Sequence, residues 1–526
     1  MVNFDKIIKY LLKLSLTSKL SEILFSYRSF TVMAVLLFIY SVIGSIFLEC
    51  FYVSYDIWEH LPQIMAFKDN PFSPVDPYLR GDNVSHLLTP YHFLLGIFAQ
   101  ILGVTPLVIF YIAGIINLLF FLYSIRVLAQ EYYGDKKYSF LLLVILLVAW
   151  LFPPGSSGYY NLSLIPLTLG YPYRAVFPFI LLTIARYKPE LGIGKQLYYL
   201  FASALAFTVH PLSGLFILMV IFTKTLFEGK EWNTKRFTLL LLPLASISLT
   251  IFWPYYPILG YISSANKLNV FNLPEAYKFY YKTIWTVLIL LIPSVAMITA
   301  QLKTKRINFV VATVFILTPP VALNYFTIQN EPLARLIVYG VLMMHLLTFE
   351  WIKEKIEAGK MMLINYSVAA FLILFILQLP FSLQTISLFP DVLRGKPIGY
   401  YSNLRYYNEY QKFDEWVYDG GVILAPLKVS VMISRTTHCN IVAYYYPNPS
   451  IPGTKEKSAD VEKYFSTSSK GQKITIIRKY DVRYIVSDKP STSPEELGIS
   501  AKLLGIIDGY SVYRIEQVSV QQPSSQ

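Results

Sequence analysis

Cysteine is nearly absent from this chain: Cys50 and Cys439 are the only two in 526 residues. They stand far apart, so they form neither a metal-ligand spacing nor a disulfide framework. Charge is thin as well. Only 15% of the residues are Asp, Glu, Lys or Arg, against about 25% in a soluble domain. With 55% hydrophobic residues and a mean hydropathy of +0.48, a water-soluble chain is excluded. No internal repeat is present, and low complexity is confined to the polar tail 517–526.

The net charge of +13 would suggest nucleic acid until it is located. Residues 1–28, 126–137, 186–195, 224–236, 302–306 and 351–360 hold 21 Lys/Arg against 9 Asp/Glu, which is nearly all of the excess. These are short segments between apolar runs. That is the positive-inside pattern of a membrane protein, and nucleic-acid binding is unsupported. The 42 tyrosines suit membrane interfaces equally well.

Apolar runs of about 20 residues recur along the chain, as bilayer spans require. Residues 1–28 form a basic cytosolic segment, and 29–51 read as a retained signal anchor. An external loop, 53–105, follows. Within it Pro90–Leu102 is apolar but has 13 residues, roughly 20 Å as a helix, short of a hydrocarbon core of about 30 Å. It is expected to lie in the outer interface, which keeps every later basic loop inside. Further spans are expected at 106–125, 138–152, 171–185, 197–209, 211–227, 238–254, 284–301, 308–325, 333–350 and 361–380.

The pair 197–209 and 211–227 has basic flanks on both sides and few residues for two full crossings. Its tip, His210-Pro211, should sit below the outer surface. A broken helix at that depth needs protein or a wet cavity around it, so an outward-facing cavity with His210 near its floor is expected.

After Pro390 the composition becomes that of a soluble domain, with 17 Lys/Arg and 14 Asp/Glu over 391–526. GVILA (421–425), NIVAY (440–444), RYIVS (483–487) and YSVYRI (510–515) read as strands. Helices at about 405–417, 458–466 and 472–480 alternate with them. This part lacks a Gly-rich phosphate loop, which argues against a nucleotide enzyme. The fold class is therefore mainly α: a polytopic transmembrane helical bundle of about eleven crossings with a C-terminal exoplasmic α/β domain. The transmembrane domain covers 29–389 and the α/β domain 390–516.

The chemistry-bearing residues concentrate in Val53–His92, which holds Asp56, Glu59, His60, Asp69, Asp76, Arg80, Asp82 and His86. Asp56 shares a helix face with Glu59 and His60. A carboxylate at a low-dielectric surface can have its pKa raised toward a working general base. A divalent cation, Mg or Mn, could bind Asp56 with Glu59 or His60, although two ligands are a weak signal. The bland reading is that any loop after a span is polar. Arg80 and His86 could line the same cavity, or Arg80 could form a loop salt bridge.

A second constellation, Arg174, His210 and Arg335, falls at or below outer helix ends. Arginine grips phosphate with a planar fork, whereas an arginine at a helix end can simply snorkel to the interface. Asn83-Val-Ser85 and Asn161-Leu-Ser163 match external glycosylation sequons.

This layout resembles the GT-C superfamily of integral-membrane glycosyltransferases. The shared features are a cytosolic amino terminus, one span, and a large acidic external loop with its first Asp just past that span. Many further spans and an exoplasmic α/β domain follow. RKYDVRYIVSD (478–488) is similar to a phrase common near the end of such proteins. The resemblance implies that Asp56, and less directly Glu59, acts as base or metal ligand. It also implies a sugar donor on a polyprenyl phosphate held by basic residues near the outer face, and a glycan, lipid or protein acceptor. The chain departs from the family in lacking a WWDYG-type signature, and Thr89-Pro90-Tyr91 stands near where some members carry lysine-proline-proline. Two alternatives stand beside inverting glycosyl transfer: a non-catalytic scaffold for cell-envelope glycans, and a lipid or solute transporter. A transporter would be expected to show a second broken helix pair, and no clear counterpart to the His210 pair is visible.

Overall fold

The computed structural model describes residues 22–46, 57–74, 88–150, 160–162, 165–228, 232–256, 258, 260, 274–358, 409–417, 420–437, 439–444, 453–487 and 492–517. The chain is mainly helical with a small mixed sheet. The helices used below are α1 (Ile57–Asp69), α2 (Pro90–Leu102), α3 (Pro106–Val127), α4 (Pro172–Arg186), α5 (Ile193–Val209), α6 (Pro211–Phe227), α7 (Pro274–Thr304), α8 (Phe309–Leu323) and α9 (Leu336–Glu357). Two compact units emerge. One comprises Met1–Phe51, Tyr111–Phe252 and Phe271–Pro397; the other comprises Tyr52–Phe110, Trp253–Val270 and Ile398–Gln526.

In the first unit, the described residues include three helical stretches long and apolar enough to cross a membrane, Thr234–Phe252, Phe309–Ile328 and Glu331–Glu357; a fourth, Pro106–Tyr132, begins before it. Eleven crossings were expected. Tyr27–Ile43 and Pro211–Phe227 are apolar but shorter, and the expected span 361–380 lies outside the described residues. α9 is the central helix, packed by α7 and α8. Its Leu342, Met343, Leu347 and Phe349 are buried. Thr234–Phe252 is peripheral: Phe237, Leu241, Leu244 and Ile251 are all exposed, as expected of a face turned to lipid.

The α5–α6 pair is broken where the sequence suggests. Val209 ends α5, His210 adopts an extended backbone, and Pro211 opens α6, a position where its missing N–H costs nothing. The two helices meet closely because position 214 is glycine. A Cβ there would stand 2.2 Å from Phe207 Cα.

Several of the basic residues close helix ends, in addition to any role in orientation. Lys224 Nζ donates to Ile184 O at 2.6 Å at the end of α4. Arg236 donates to Thr225 O at 2.6 Å and Leu226 O at 2.7 Å at the end of α6. Cations are favoured there by the unpaired carbonyls and the helix dipole.

In the second unit, α1 packs on α2. Gly96 permits the approach, since a Cβ there would meet Phe67 Cβ at 2.5 Å. Trp253 Nε1 donates to Leu88 O at 2.8 Å, and Tyr255 Oη to Phe72 O at 3.0 Å. α2 has the predicted bounds and two unlike faces. Tyr91, His92, Leu95, Gly96 and Ala99 are buried, while Leu94, Phe98, Ile101 and Leu102 are exposed.

The same unit holds a five-stranded sheet of β1 (Val422–Leu424), β2 (Asn440–Ile441), β3 (Val482–Ser487), β4 (Ser500–Ile507) and β5 (Tyr510–Gln517), in the order β2-β1-β3-β5-β4. β1 runs parallel to β2 and β3, and β5 runs antiparallel to β3 and β4. Helices Leu427–Thr436, Thr454–Ser466 and Lys470–Lys479 accompany it. All four expected strands form. β4 and the helix Leu427–Thr436 are additions. Two apolar clusters pack the sheet, one built on Phe413, Ile433, Tyr484 and Val512, the other on Leu424, Tyr464, Ile477 and Ile485.

Gly214→Ala should lower the thermal midpoint in detergent by the equivalent of about 1–3 kcal/mol, the usual cost of overpacking. Gly340→Ala, with nothing within 4 Å of the added Cβ, should not. Equal midpoints for the two variants would contradict the close α5–α6 crossing.

Candidate functional site

Asp56, Arg80, Asp82 and His86 lie outside the described residues. Each unit nevertheless carries one polar cluster built from the residues singled out by sequence.

In the first unit, Arg174, His210 and Arg335 come to neighbouring positions around tyrosines. Tyr173 touches two of them. Its ring lies 5.0 Å from the Arg174 guanidinium and 5.9 Å from the His210 ring. His210 caps α6: its Nδ1 accepts from Ser213 N at 3.3 Å. Nδ1 is thus the unprotonated nitrogen, and it also takes the Ser213 hydroxyl at 2.7 Å. Ser213 Oγ in turn meets Tyr339 Oη at 2.7 Å. This chain leaves the proton of a neutral His210 on Nε2. Arg335, Tyr280 and Tyr173 all lie within electrostatic reach of the Tyr339 hydroxyl. Arg335 sits half-buried over the Tyr280 ring at 5.9 Å and is held by Glu331 through Nε at 2.9 Å and through Nη2.

Arg174 differs from the expectation of a cation at an accessible helix end. It is fully buried. Nε and Nη2 donate to Thr168 Oγ1 at 3.1 and 2.6 Å, and the guanidinium stacks over Tyr160 at 4.2 Å. Tyr160 Oη donates to the Arg174 carbonyl at 2.9 Å, and the Tyr160 ring lies on Phe121 at 3.8 Å. The local reason is the run of prolines and aromatics, which folds the segment back onto its own helix start. No carboxylate among the described residues pairs with Arg174, and its Nη1 has no hydrogen-bond partner there. The same packing buries Asn161, so the Asn161 sequon presents no glycan acceptor.

In the second unit, α1 and α2 bring two histidines together. His60 Nδ1 lies 2.9 Å from His92 Nε2, and His92 Nδ1 lies 2.9 Å from Thr89 Oγ1. The His60 ring stacks between His92 at 5.1 Å and Phe110 at 5.8 Å. Burial drives the His60 imidazole down to about 3, so it is neutral. Glu59 is half-buried and accepts a long hydrogen bond, 3.5 Å, from Tyr444 Oη. This contact joins α1 to the loop after β2.

Of the expected cation ligands, Asp56 lies outside the described residues, while Glu59 and His60 are described. His60 is buried and spends Nδ1 on His92, and no group of three metal-ligating side chains occurs among the described residues. Sequence reasoning passed over His92, Thr89, Tyr173, Ser213 and Tyr339. His92 had a signal, because Thr89 and His92 are three apart at the start of a helix and so share a face.

No family model and no curated protein matches the chain. Solved structures do. It is similar to the apo crystal structure of the Archaeoglobus fulgidus oligosaccharyltransferase, with 13% identity, a TM-score of 0.46, and 87% of this chain covering 69% of that one. The same enzyme tethered to an acceptor peptide containing the NVT sequon gives 12% identity and a TM-score of 0.47 over the same shares. Arabinofuranosyltransferase AftD from Mycobacteria gives 15% identity and a TM-score of 0.48, with 93% of this chain spanning 40% of that one.

Because the His60 pKa falls from its ordinary value near 6.5 to about 3 on folding, the unfolded chain takes up its proton first. The stabilising contribution of neutral His60 is complete above about pH 6.5 and is lost as the pH falls toward 3. The acid-side slope of the thermal midpoint should therefore be shallower in His60→Phe than in wild type. Identical slopes would show that the ring titrates like an exposed one.

Proposed function

We propose that the chain is an inverting membrane glycosyltransferase that moves a sugar from a polyprenyl-phosphate donor to a glycan, lipid or protein acceptor on the external face of the cell membrane. The observation that carries this reading is the cation cluster of the first unit. Arg174 is a fully buried guanidinium with no carboxylate partner among the described residues, and Arg335 and His210 stand around the same tyrosines. Ionisable groups in membrane segments are costly and face functional cavities. An uncompensated buried guanidinium favours an anion beside it.

In the proposed reaction Asp56 removes the proton of an acceptor hydroxyl. The hydroxyl oxygen attacks the anomeric carbon, the bond from that carbon to the phosphate oxygen breaks, and the polyprenyl phosphate leaves with the bonding pair. Charge therefore builds on the phosphate. In this proposal Arg335, Arg174 and His210 stabilise that charge. Preorganised donors of this kind often supply the largest part of a rate enhancement. Ser213 and Tyr339 fix the His210 tautomer. Glu59 and His60 hold the base helix: Glu59 through Tyr444, and His60 through His92.

α2 fits the same picture. Its exposed face of Leu94, Phe98, Ile101 and Leu102 suits a helix lying in the outer interface with its apolar side in lipid. The amino terminus would then be cytosolic and the α/β domain external, near the acceptor.

The test follows release of polyprenyl phosphate from a panel of lipid-phosphate sugars by purified wild type, Asp56→Asn and Arg335→Gln. Wild type should release it, Asp56→Asn should not, and Arg335→Gln should be slower by roughly 100-fold, the scale seen when one charge-stabilising donor is lost. Release that survives Asp56→Asn would reject the assigned base. No release from any donor would favour the scaffold.

A further inference from the structure

The first unit has a cleft lined by none of the residues of the cation cluster. It opens between α4, α5 and α6, holds about 170 Å³, and is walled by Phe179, Tyr198, Tyr199, Ala202 and Ser203, with Arg186 at one end. Apolar and aromatic side chains form its length, and its charge is confined to that end. Such a shape matches a molecule with one long apolar chain and a polar head.

Two further features bear on what the cleft could take. The first is Ser203. Hydroxyls in these helices normally return to a carbonyl one turn back: Thr183 bonds Phe179 O at 2.7 Å, and Thr208 bonds Ala204 O at 2.9 Å. Ser203 lines the cleft, is almost fully buried, and has no hydrogen-bond partner among the described residues. Buried polar groups are nearly always paired, so this hydroxyl is available to an oxygen of a bound molecule or to a water held beside it.

The second is the charge at the mouth. Arg186 itself is largely neutralised by Glu131, which it grips through Nε at 2.9 Å and Nη2 at 2.6 Å. The surplus comes from Lys195. It stands three and four residues before Tyr198 and Tyr199, on the same face of α5, and it is exposed. Lys188 is exposed at the adjoining turn, which Gln196 pins by donating to Lys188 O at 3.2 Å. Tyr123 and Tyr198 add exposed hydroxyl-bearing rings beside Arg186, as tyrosines do at a bilayer interface.

We propose that this cleft is a binding site for an anionic phospholipid of the bilayer leaflet on the basic side. One acyl chain lies along Phe179, Tyr199 and Ala202, and the phosphodiester rests against Lys195 and Tyr198. The site is separate from the transferase reading and uses none of its residues.

The test is native mass spectrometry of the purified full chain in a neutral detergent. It is titrated with phosphatidylglycerol or with phosphatidylcholine carrying the same acyl chains. Wild type should take up one phosphatidylglycerol per chain with an apparent affinity about five-fold above phosphatidylcholine, the scale expected for one lysine near an anionic headgroup. Ala202→Leu, which fills the cleft, should lose both lipids. Lys195→Gln, at an exposed position with little risk to folding, should keep both and lose the preference between them. Undiminished lipid uptake by Ala202→Leu would overturn the site. Equal affinities in wild type would overturn the headgroup assignment. Displacement of the lipid by millimolar inorganic phosphate would show that the mouth binds a soluble anion instead.

Discussion

A guanidinium with no carboxylate partner among the described residues, buried among tyrosines, is the constraint on which the first unit depends. Arg174 is fully buried, and Thr168, Tyr160 and Tyr173 contact its guanidinium. The segment around 160–174 therefore folds inward upon its own helix: Tyr160 binds the Arg174 carbonyl, and Asn117 reaches the Leu169 carbonyl at 2.8 Å. The same folding sets Tyr173 against His210, at the break between the two apolar helices Ile193–Val209 and Pro211–Phe227. A purely structural buried arginine is usually paired, because desolvating a lone charge costs several kcal/mol or more.

The second unit uses the opposite strategy. His60 is buried but uncharged, and it passes a hydrogen bond through His92 to Thr89. A neutral imidazole at His60 tolerates a dry site that a carboxylate or imidazolium would not. It ties the helix Ile57–Asp69 to the helix Pro90–Leu102, while Tyr444 reaches Glu59 from the chain after the second strand. The residue assigned as base, Asp56, immediately precedes that fixed helix. Rigid support behind a reacting group is what keeps its geometry productive.

Much of this is legible in the sequence, and the exceptions have physical causes. Pro90–Leu102 is readable to the residue because proline opens the helix and Gly103, at φ 63°, closes it. The break at His210-Pro211 is readable because proline marks a helix start. Four strands show as short apolar runs. The fifth, Ser500–Ile507, escapes notice because its exposed Leu503 and Ile506 blur the alternation. Its hairpin signal is nevertheless present in Asp508-Gly509, with φ of 49° and 81°, the residue pair that such a two-residue turn demands. For the site, sequence names Arg174, His210 and Arg335 as cations, but not that Arg174 is buried or that tyrosines link the three. Those facts arise from contacts between separate elements, such as Tyr173 with His210 and Ser213 with Tyr339, which no local pattern encodes. The His60–His92 pair meets the same difficulty, since the two histidines lie on different helices.

The central claim is that the cluster around Arg174, His210 and Arg335 receives the phosphate of a lipid-linked sugar. Its most direct measurement is calorimetric binding of a short-chain polyprenyl phosphate, the reaction's lipid product, to wild type and to Arg335→Gln in detergent. The account predicts saturable binding of one molecule per chain, weakened about ten-fold or more by loss of a charge-assisted phosphate contact, and no binding of the corresponding uncharged polyprenol. Equal affinity for the phosphate and the alcohol, or binding untouched by Arg335→Gln, would contradict it.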